Sequence, residues 1–236
     1  MCSSAYGLLR KGDKPQRSVV AGIFTLALGL SGVAHAGDEP LRLVALGDSL
    51  TQGYGLPQEE GLVPQLEAWL QAEGLDVIVI NAGVSGDTTA GGRSRIDWTL
   101  ADEPDAMMVA LGGNDLLRGI DPATSRANLQ AILERLTDEG VPAMLVGLPA
   151  PGNYGPEFRD AFEAMYLELS EDFDAPLYPN MLQPISDKYD LGLSYSELMQ
   201  DDHLHPSAEG VAAIVEGMGP FIATWLEGIQ DERPDS

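Results

Sequence analysis

Short apolar runs alternate with longer amphipathic segments through most of the chain, and this alternation predicts an α/β domain. The short runs are almost continuously apolar, and Val77–Ile80 is rich in β-branched residues, which is typical of strands that are buried on both faces. We predict strands at Leu41–Leu46, Val77–Ile80, Ala106–Leu111 and Ala143–Leu148, with a short fifth strand beginning at Leu177–Tyr178.

The longer segments repeat apolar residues at the spacing of a helix face. They predict helices over Leu62–Glu73, Thr88–Leu100, Pro122–Glu139 and Pro156–Phe173, and from Pro206 towards Leu226 with a break around Gly217–Pro220. Strands that alternate with helices favour a parallel sheet covered by helices on both faces. Such sheets bind ligands beyond the carboxyl ends of their strands, so we expect the functional residues to follow strands.

The first 36 residues have the pattern of an export signal. Basic residues precede the apolar stretch Val19–Val33, which is too short for an ordinary transmembrane helix, and Ala34-His35-Ala36 is a small-x-small cleavage pattern. We therefore expect a signal peptide at 1–36, a single domain at 37–236, and a location in the bacterial periplasm or outside the cell. The alternative is an uncleaved membrane anchor, which the short segment and the cleavage pattern disfavour.

Length, charge and cysteine content limit the size of the domain, the molecules that it can bind and the chemistry that it can perform. The 236 residues allow one domain with a well-formed core, against which Trp69, Trp98 and Trp225 are expected to pack. The formal net charge is −24, and because the signal segment contributes +3, residues 37–236 carry −27. Such a chain repels nucleic acid and anionic membranes, so we expect a small neutral or zwitterionic partner. Cys2 lies in the signal segment, which leaves no cysteine for a disulfide, a thiol nucleophile or a metal site.

A candidate serine nucleophile follows the first predicted strand. Ser49 lies in Gly47-Asp48-Ser49-Leu50, where the sheet would present its hydroxyl to solvent. A serine nucleophile needs a base and an acid that orients the base. Since His35 leaves with the signal, the base must be His203 or His205. We favour His205, with Asp202 three residues earlier as its orienting acid, over the alternative that both histidines are ordinary exposed loop residues.

Two further residues are candidates to stabilise an oxyanion. Gly86 lacks a side chain, so its N–H can approach a substrate oxygen closely. Asn114 offers an amide donor at the end of the third strand. Taken alone, Gly86 could be an ordinary turn glycine, and Asn114 could be a helix cap, a role that Asp115 could fill as well.

A rival nucleophile and a metal site are both less well supported. Gly83-Val84-Ser85-Gly86-Asp87 is similar to the G-x-S-x-G elbow of α/β-hydrolases, but an aspartate replaces the last glycine, so we rank Ser85 below Ser49. Two histidines and no cysteine disfavour a metal centre.

Together these motifs resemble the SGNH (GDSL) hydrolase family. The four family blocks match as Gly47–Leu50, Gly86, Gly112–Asp115 and Asp202-x-x-His205. More narrowly, the chain is similar to the bacterial group called thioesterase I, protease I and lysophospholipase L1, or arylesterase. The resemblance implies a flavodoxin-like three-layer α/β/α fold with a mainly parallel five-stranded sheet, and it implies no cofactor.

The resemblance also implies roles for individual residues. Ser49 would be the nucleophile, Asp202 and His205 would complete the triad, and the N–H groups of Ser49 and Gly86 would form an oxyanion hole with the Asn114 amide. The segment Leu116–Ile120 would correspond to a mobile loop over the acyl chain. Substrate contacts are expected from Leu116, Leu117, Ile120 and Tyr154.

The expected function is hydrolysis of carboxylic esters through an acyl-serine intermediate. Short to medium acyl esters, aryl esters, lysophospholipids and thioesters are the candidate substrates of an expected monomer that needs neither metal nor cofactor. One alternative is a carbohydrate acetylesterase, which acetate-only activity would support. A second is a non-catalytic exported binding protein, which inertness towards every activated ester would support.

Overall fold

The structure is a computed structural model that describes residues 39–232, so the predicted signal segment lies outside the described residues. Five parallel strands form one sheet in the order β2-β1-β3-β4-β5. They are β1 (Leu41–Gly47), β2 (Val77–Gly83), β3 (Ala106–Ala110), β4 (Ala143–Val146) and β5 (Leu177–Tyr178). This is the flavodoxin-like strand order. The chain adds β2 on one side of β1 and then β3, β4 and β5 on the other side, and this switch opens a crevice between β1 and β3. The predicted fold class is confirmed.

Ten α-helices connect or follow the strands within the described residues. They are α1 (Ser49–Gln52), α2 (Leu62–Ala72), α3 (Thr89–Ser94), α4 (Ile96–Leu100), α5 (Gly113–Leu117), α6 (Pro122–Asp138), α7 (Pro156–Phe173), α8 (Gln183–Asp190), α9 (Tyr195–Leu198) and α10 (Ala208–Glu232). Single 3₁₀ turns lie at Gln58–Glu60 and Gly152–Tyr154.

The core consists of two apolar layers, one on each face of the sheet. Successive side chains of a strand point to opposite faces. In β1, Leu43 and Ala45 therefore pack with α2 and α10, whereas Val44 and Leu46 pack with α6 and α7. All four side chains are fully buried. Helices thus cover both faces, which confirms the three predicted layers.

Two helix predictions were wrong in detail. The predicted helix Thr88–Leu100 is divided at Arg95, whose backbone leaves the helical conformation and ends α3. The predicted break in the last helix is absent, because α10 runs continuously through Pro220. A proline inside a helix removes one backbone hydrogen bond. Buried residues on both sides of it, including Met218 and Ile222, keep this helix on the sheet.

The predicted packing of the tryptophans is correct for two of the three. Trp69 and Trp225 pack, partly buried, against the core. Trp98 is 72% exposed, so its predicted core position was wrong. The reason is the helical period of α4, in which Ile96 and Thr99 face inward and the two residues between them, Asp97 and Trp98, point outward.

Candidate active site

The candidate nucleophile lies in a tight turn between β1 and α1. Ser49 is the first residue of α1 and is 9% exposed. Asp48 caps this helix, because its Oδ1 accepts a hydrogen bond from the Leu50 N–H at 3.0 Å. Gly47 is required by close packing, since a β-carbon there would lie 2.0 Å from the Thr51 hydroxyl oxygen. The turn therefore holds Ser49 at the carboxyl edge of the sheet, beside the crevice between β1 and β3.

The two other candidate triad residues lie on one short loop before α10. Met199 and Pro206 form an antiparallel bridge that closes the loop, and the Gln200 N–H donates to the His205 carbonyl oxygen at 2.8 Å. Inside the loop, Asp202 Oδ1 accepts hydrogen bonds from the N–H groups of Leu204 (2.9 Å) and His205 (3.0 Å). The loop backbone thus orients the carboxylate towards the imidazole.

The structure brings Ser49, His205 and Asp202 into one hydrogen-bonded chain. His205 Nδ1 lies 2.6 Å from Asp202 Oδ2, and its Nε2 lies 2.9 Å from Ser49 Oγ. The hydrogen bond from His205, with those from the loop N–H groups, holds the pKa of Asp202 well below its usual range. An ionised carboxylate can only accept, so Nδ1 donates and Nε2 is free to accept the serine proton.

The other candidate histidine and the rival serine lie outside this chain. The backbone of His203 has a positive φ of 57°, and its ring packs against Tyr195 at a centroid distance of 5.7 Å. Ser85 does line the same cavity as Ser49. In the described part of the chain, however, no histidine lies within hydrogen-bonding distance of the Ser85 hydroxyl.

The two oxyanion candidates follow the strands on either side of β1. Gly86 lies in the turn after β2 with a φ of +83°, a conformation that favours glycine, and it lines the cavity beside Ser49. Asn114 is the second residue of α5, and its Nδ2 donates to Asp48 Oδ2 at 3.1 Å. The amide has a second hydrogen, which remains available to the cavity.

Neither Asn114 nor Asp115 is the helix cap that the sequence allowed, because Gly112 occupies the cap position of α5. Asp115 is fully buried and accepts hydrogen bonds from the Thr89 N–H (2.8 Å) and the Ser125 hydroxyl (2.8 Å). It therefore ties α5 to α3 and α6 and leaves Asn114 to face the crevice.

Burial and hydrogen bonding have opposite effects on the pKa of Asp48. Burial raises the pKa of its carboxyl group, while hydrogen bonds from the Leu50 N–H and the Asn114 amide act in the opposite direction. The carboxylate therefore depends on these two donors, and the Asn114 contact fixes the direction of the amide.

A cavity of about 400 Å³ opens directly onto Ser49 and His205. Apart from the polar groups at one end, it is lined mainly by leucines that come from five separate segments of the chain: Leu50, Leu116, Leu117, Leu148, Leu182 and Leu204. Tyr54 closes one side, with its ring centroid 4.6 Å from that of His205. The site can therefore place an apolar chain next to the Ser49 hydroxyl.

The predicted substrate-contacting residues divide into two pairs. Leu116 and Leu117 line the cavity, but they belong to α5 and not to a loop. Ile120 and Tyr154 are not part of the lining. Tyr154 is 42% exposed, and its hydroxyl lies 3.4 Å from the Leu117 carbonyl oxygen.

Sequence reasoning missed part of the lining, although signals for it were present. Leu50 and Leu204 are neighbours of candidate catalytic residues, and Leu148 and Leu182 follow the last two strands. The rule that ligands bind beyond the carboxyl ends of strands could have identified them.

The described residues contain no candidate metal site and no candidate membrane span. No group of histidine, cysteine, aspartate and glutamate side chains there could hold a metal ion. No helix within residues 39–232 is long and apolar enough to cross a membrane.

Comparison with known proteins gives one consistent match. The model of the GDSL-like lipase/acylhydrolase family matches residues 45–213. Esterase TesA of Pseudomonas aeruginosa is 35% identical over 185 residues, which cover 78% of this chain and 89% of that protein. Thioesterase 1/protease 1/lysophospholipase L1 of Escherichia coli K12 is 33% identical over 185 residues, covering 78% of this chain and 80% of the relative.

A solved structure of the same family is also similar to this chain. AlinE4, described as an esterase of the SGNH-hydrolase family, is 42% identical and superposes with a TM-score of 0.64, covering 80% of this chain and 98% of AlinE4. The family match and the relatives bear out the resemblance that the motifs predicted. The chain belongs to the GDSL-like lipase/acylhydrolase (SGNH) family and is a carboxylic-ester hydrolase.

Proposed function

We propose that this hydrolase cleaves esters of short to medium acyl chains through an acyl-serine intermediate on Ser49, with aryl esters, lysophospholipids and thioesters among its substrates. The observation that carries the proposal is the Ser49–His205–Asp202 hydrogen-bonded chain, which ends at the floor of a leucine-lined cavity. The names of the relatives, an esterase and a thioesterase/lysophospholipase, agree with this substrate range.

In the proposed acylation step, His205 Nε2 takes the proton of the Ser49 hydroxyl while Oγ attacks the ester carbonyl carbon. The carbonyl π electrons move to oxygen, and the N–H groups of Ser49 and Gly86 with the Asn114 amide bind the resulting oxyanion. A well-placed donor of this kind stabilises the transition state by about 3–4 kcal/mol. His205 then returns the proton to the leaving alcohol as the C–O bond breaks.

In the proposed deacylation step, water replaces the alcohol and the same groups act again. His205 takes a proton from water, whose oxygen attacks the acyl carbon, and the proton passes to Ser49 Oγ as the acid leaves. Asp202 remains ionised throughout, because its depressed pKa keeps it a carboxylate, and it stabilises the imidazolium that forms twice in the cycle.

The cavity supports medium rather than very short acyl chains. Burying one methylene group contributes about 0.8 kcal/mol, which is roughly fourfold in kcat/KM. We expect the initial rates of the purified protein on p-nitrophenyl esters to rise by about this factor per methylene from acetate to about octanoate. They should level off towards laurate, as the acyl chain outgrows the cavity.

Variants of two leucines test whether this cavity holds the acyl chain. Leu117 and Leu167 are both 55% exposed, but only Leu117 lines the cavity. Leu117→Asp should lower the octanoate rate much more than the acetate rate, and Leu167→Asp should change neither. Activity on acetate alone would favour carbohydrate deacetylation instead, and a rate no higher than that of Ser49→Ala would contradict the proposal.

We further propose that 1–36 is a cleaved export signal, that 37–236 is the mature domain, and that the enzyme acts in the periplasm or outside the cell. The basic residues, the apolar stretch and the small-x-small pattern support this proposal. We expect N-terminal sequencing of protein recovered from the periplasm or medium of a bacterial host to begin at Gly37. An intact N-terminus in a membrane fraction would instead indicate an anchor.

A further inference from the structure

Side-chain contacts join the three turns that supply the proposed oxyanion donors. The turns follow β1 (Ser49), β2 (Gly86) and β3 (Asn114). Asn114 Nδ2 donates to Asp48 Oδ2 at 3.1 Å, which joins the third turn to the first. Arg118 Nη2 donates to the Gly86 carbonyl oxygen at 2.8 Å, which joins the third turn to the second. A third contact, made by a partly buried arginine, completes the set.

This arginine is Arg95, which joins the turn after β1 to the turn after β2. Its Nη2 donates to the Gly47 carbonyl oxygen at 2.9 Å, two residues before Ser49. Its Nε donates to Asp87 Oδ2 at 2.7 Å, one residue after Gly86. One planar, rigid guanidinium therefore contacts both turns, so a shift of either turn against the other would break a hydrogen bond.

The surroundings of Arg95 differ from those of an ordinary surface ion pair. The Arg95 side chain is 15% exposed and that of Asp87 is 19% exposed. Arg95 also lies at the break between α3 and α4, from which its side chain reaches the sheet edge. Its Nη1 is buried and has no hydrogen-bond partner among the described residues. An unpaired buried donor lowers stability, so stability alone is a poor account of this arrangement.

We propose that Arg95 is a positioning residue that sets the distance between the Ser49 and Gly86 N–H donors. This inference rests on the proposed function, because it assigns Arg95 to the geometry of that oxyanion hole. The hole acts only when its donors point at the place where negative charge develops. A displacement of about 1 Å in such a site can reduce the rate about 100-fold. Loss of Arg95 should therefore weaken binding of the transition state more than binding of the substrate.

The test compares Arg95→Met with Arg126→Met. Arg126 is a matched control, because its guanidinium also binds two acceptors through Nε and Nη2, here the carboxylates of Glu168 and Asp172 at 2.9 Å each, and it does not line the cavity. On p-nitrophenyl butyrate we expect Arg95→Met to lower kcat about 30- to 100-fold with KM within about twofold of wild type. Arg126→Met should change neither value by more than about twofold.

A second measurement separates positioning from general loosening of the fold. Butylboronic acid forms a tetrahedral adduct with a serine nucleophile and resembles the transition state, whereas butyrate resembles the product. Arg95→Met should raise the inhibition constant of the boronic acid by a factor similar to the fall in kcat. The inhibition constant of butyrate should stay nearly unchanged. If Arg95→Met does not fold, Arg95→Lys keeps a charge beside Asp87 but cannot bind both turns, and it should show the same pattern with a smaller effect.

The outcomes distinguish this inference from the function on which it rests. If the wild-type rate does not exceed that of Ser49→Ala, the proposed function fails and the inference fails with it. If the wild-type rate depends on Ser49 but both Arg95 variants keep kcat within about twofold, only the inference is wrong. If Arg95→Met weakened the binding of boronic acid and of butyrate equally, the inference would also be wrong, because Arg95 would then only maintain the fold.

Discussion

Replacing Ser49 by alanine should reduce kcat on any ester substrate by about 10⁴- to 10⁶-fold, the largest effect expected for a single change in this protein. The hydroxyl is the group that His205 Nε2 contacts at 2.9 Å, and alanine offers no atom that could form the acyl-enzyme. The backbone N–H of residue 49 is retained, so the residual rate should come from the oxyanion hole and substrate binding. Initial rates on p-nitrophenyl butyrate measure the effect.

Ser85 provides the matched control for this variant. Both serines line the cavity, but only Ser49 contacts the histidine. Ser85→Ala should therefore stay within about threefold of the wild-type rate, because no histidine in the described part of the chain lies within hydrogen-bonding distance of the Ser85 hydroxyl. The reverse pattern, with activity lost in Ser85→Ala and kept in Ser49→Ala, would show that the elbow-like sequence around Ser85 carries the nucleophile.

Replacing Asp202 by asparagine should reduce kcat by about 10⁴-fold, the second largest effect. An asparagine side chain can donate to His205 Nδ1, and the imidazole would then carry its proton on Nε2, where it cannot accept the serine proton. The side-chain oxygen can still accept from the N–H groups of Leu204 and His205, so the loop should keep its shape. A pH–rate profile of wild type and variant, with circular dichroism spectra, measures both effects.

The depressed pKa of Asp202 also determines how its contribution to the stability of the fold depends on pH. Because the pKa of Asp202 in the folded chain lies below its usual value, the ionised form favours the folded state at any pH above that usual value. This contribution is lost only as pH falls through the folded pKa, so Asp202 should not titrate in the range where activity is measured.

Asp201→Asn is the control, because Asp201 neighbours Asp202 but does not line the catalytic cavity. It should keep the wild-type kcat and pH profile. If Asp202→Asn lowered kcat no more than Asp201→Asn, His205 would not depend on Asp202 for its orientation, and the proposed triad would be wrong.

Local sequence patterns predicted most of the regular elements. The bounds of α7 match the prediction, β5 begins where it was predicted to begin, and α2, α6 and β1 end within one residue of the prediction. These elements have strong apolar periodicity or clear terminators, such as Pro122 at the start of α6. The short helices α1, α5, α8 and α9 were not predicted, because segments of four to eight residues show too little periodicity to be recognised.

Long-range packing decided the elements that were predicted incorrectly. Pro220 is a local signal for a break, but burial of its neighbours against the sheet outweighs the lost hydrogen bond, and α10 continues. Arg95 has good helix propensity, yet its side chain binds two turns at the sheet edge, and the helix is divided there.

The sequence by itself determined the family, the α/β class and the candidate groups, because motifs and periodicity are local properties of the chain. Only the tertiary structure decided which groups meet. Ser49 and His205 are 156 positions apart, and no spacing could establish their 2.9 Å contact. The cavity lining and the contacts of Arg95 likewise come from distant segments. Their geometry depends on how the sheet aligns the ends of its strands, which is a property of the whole fold.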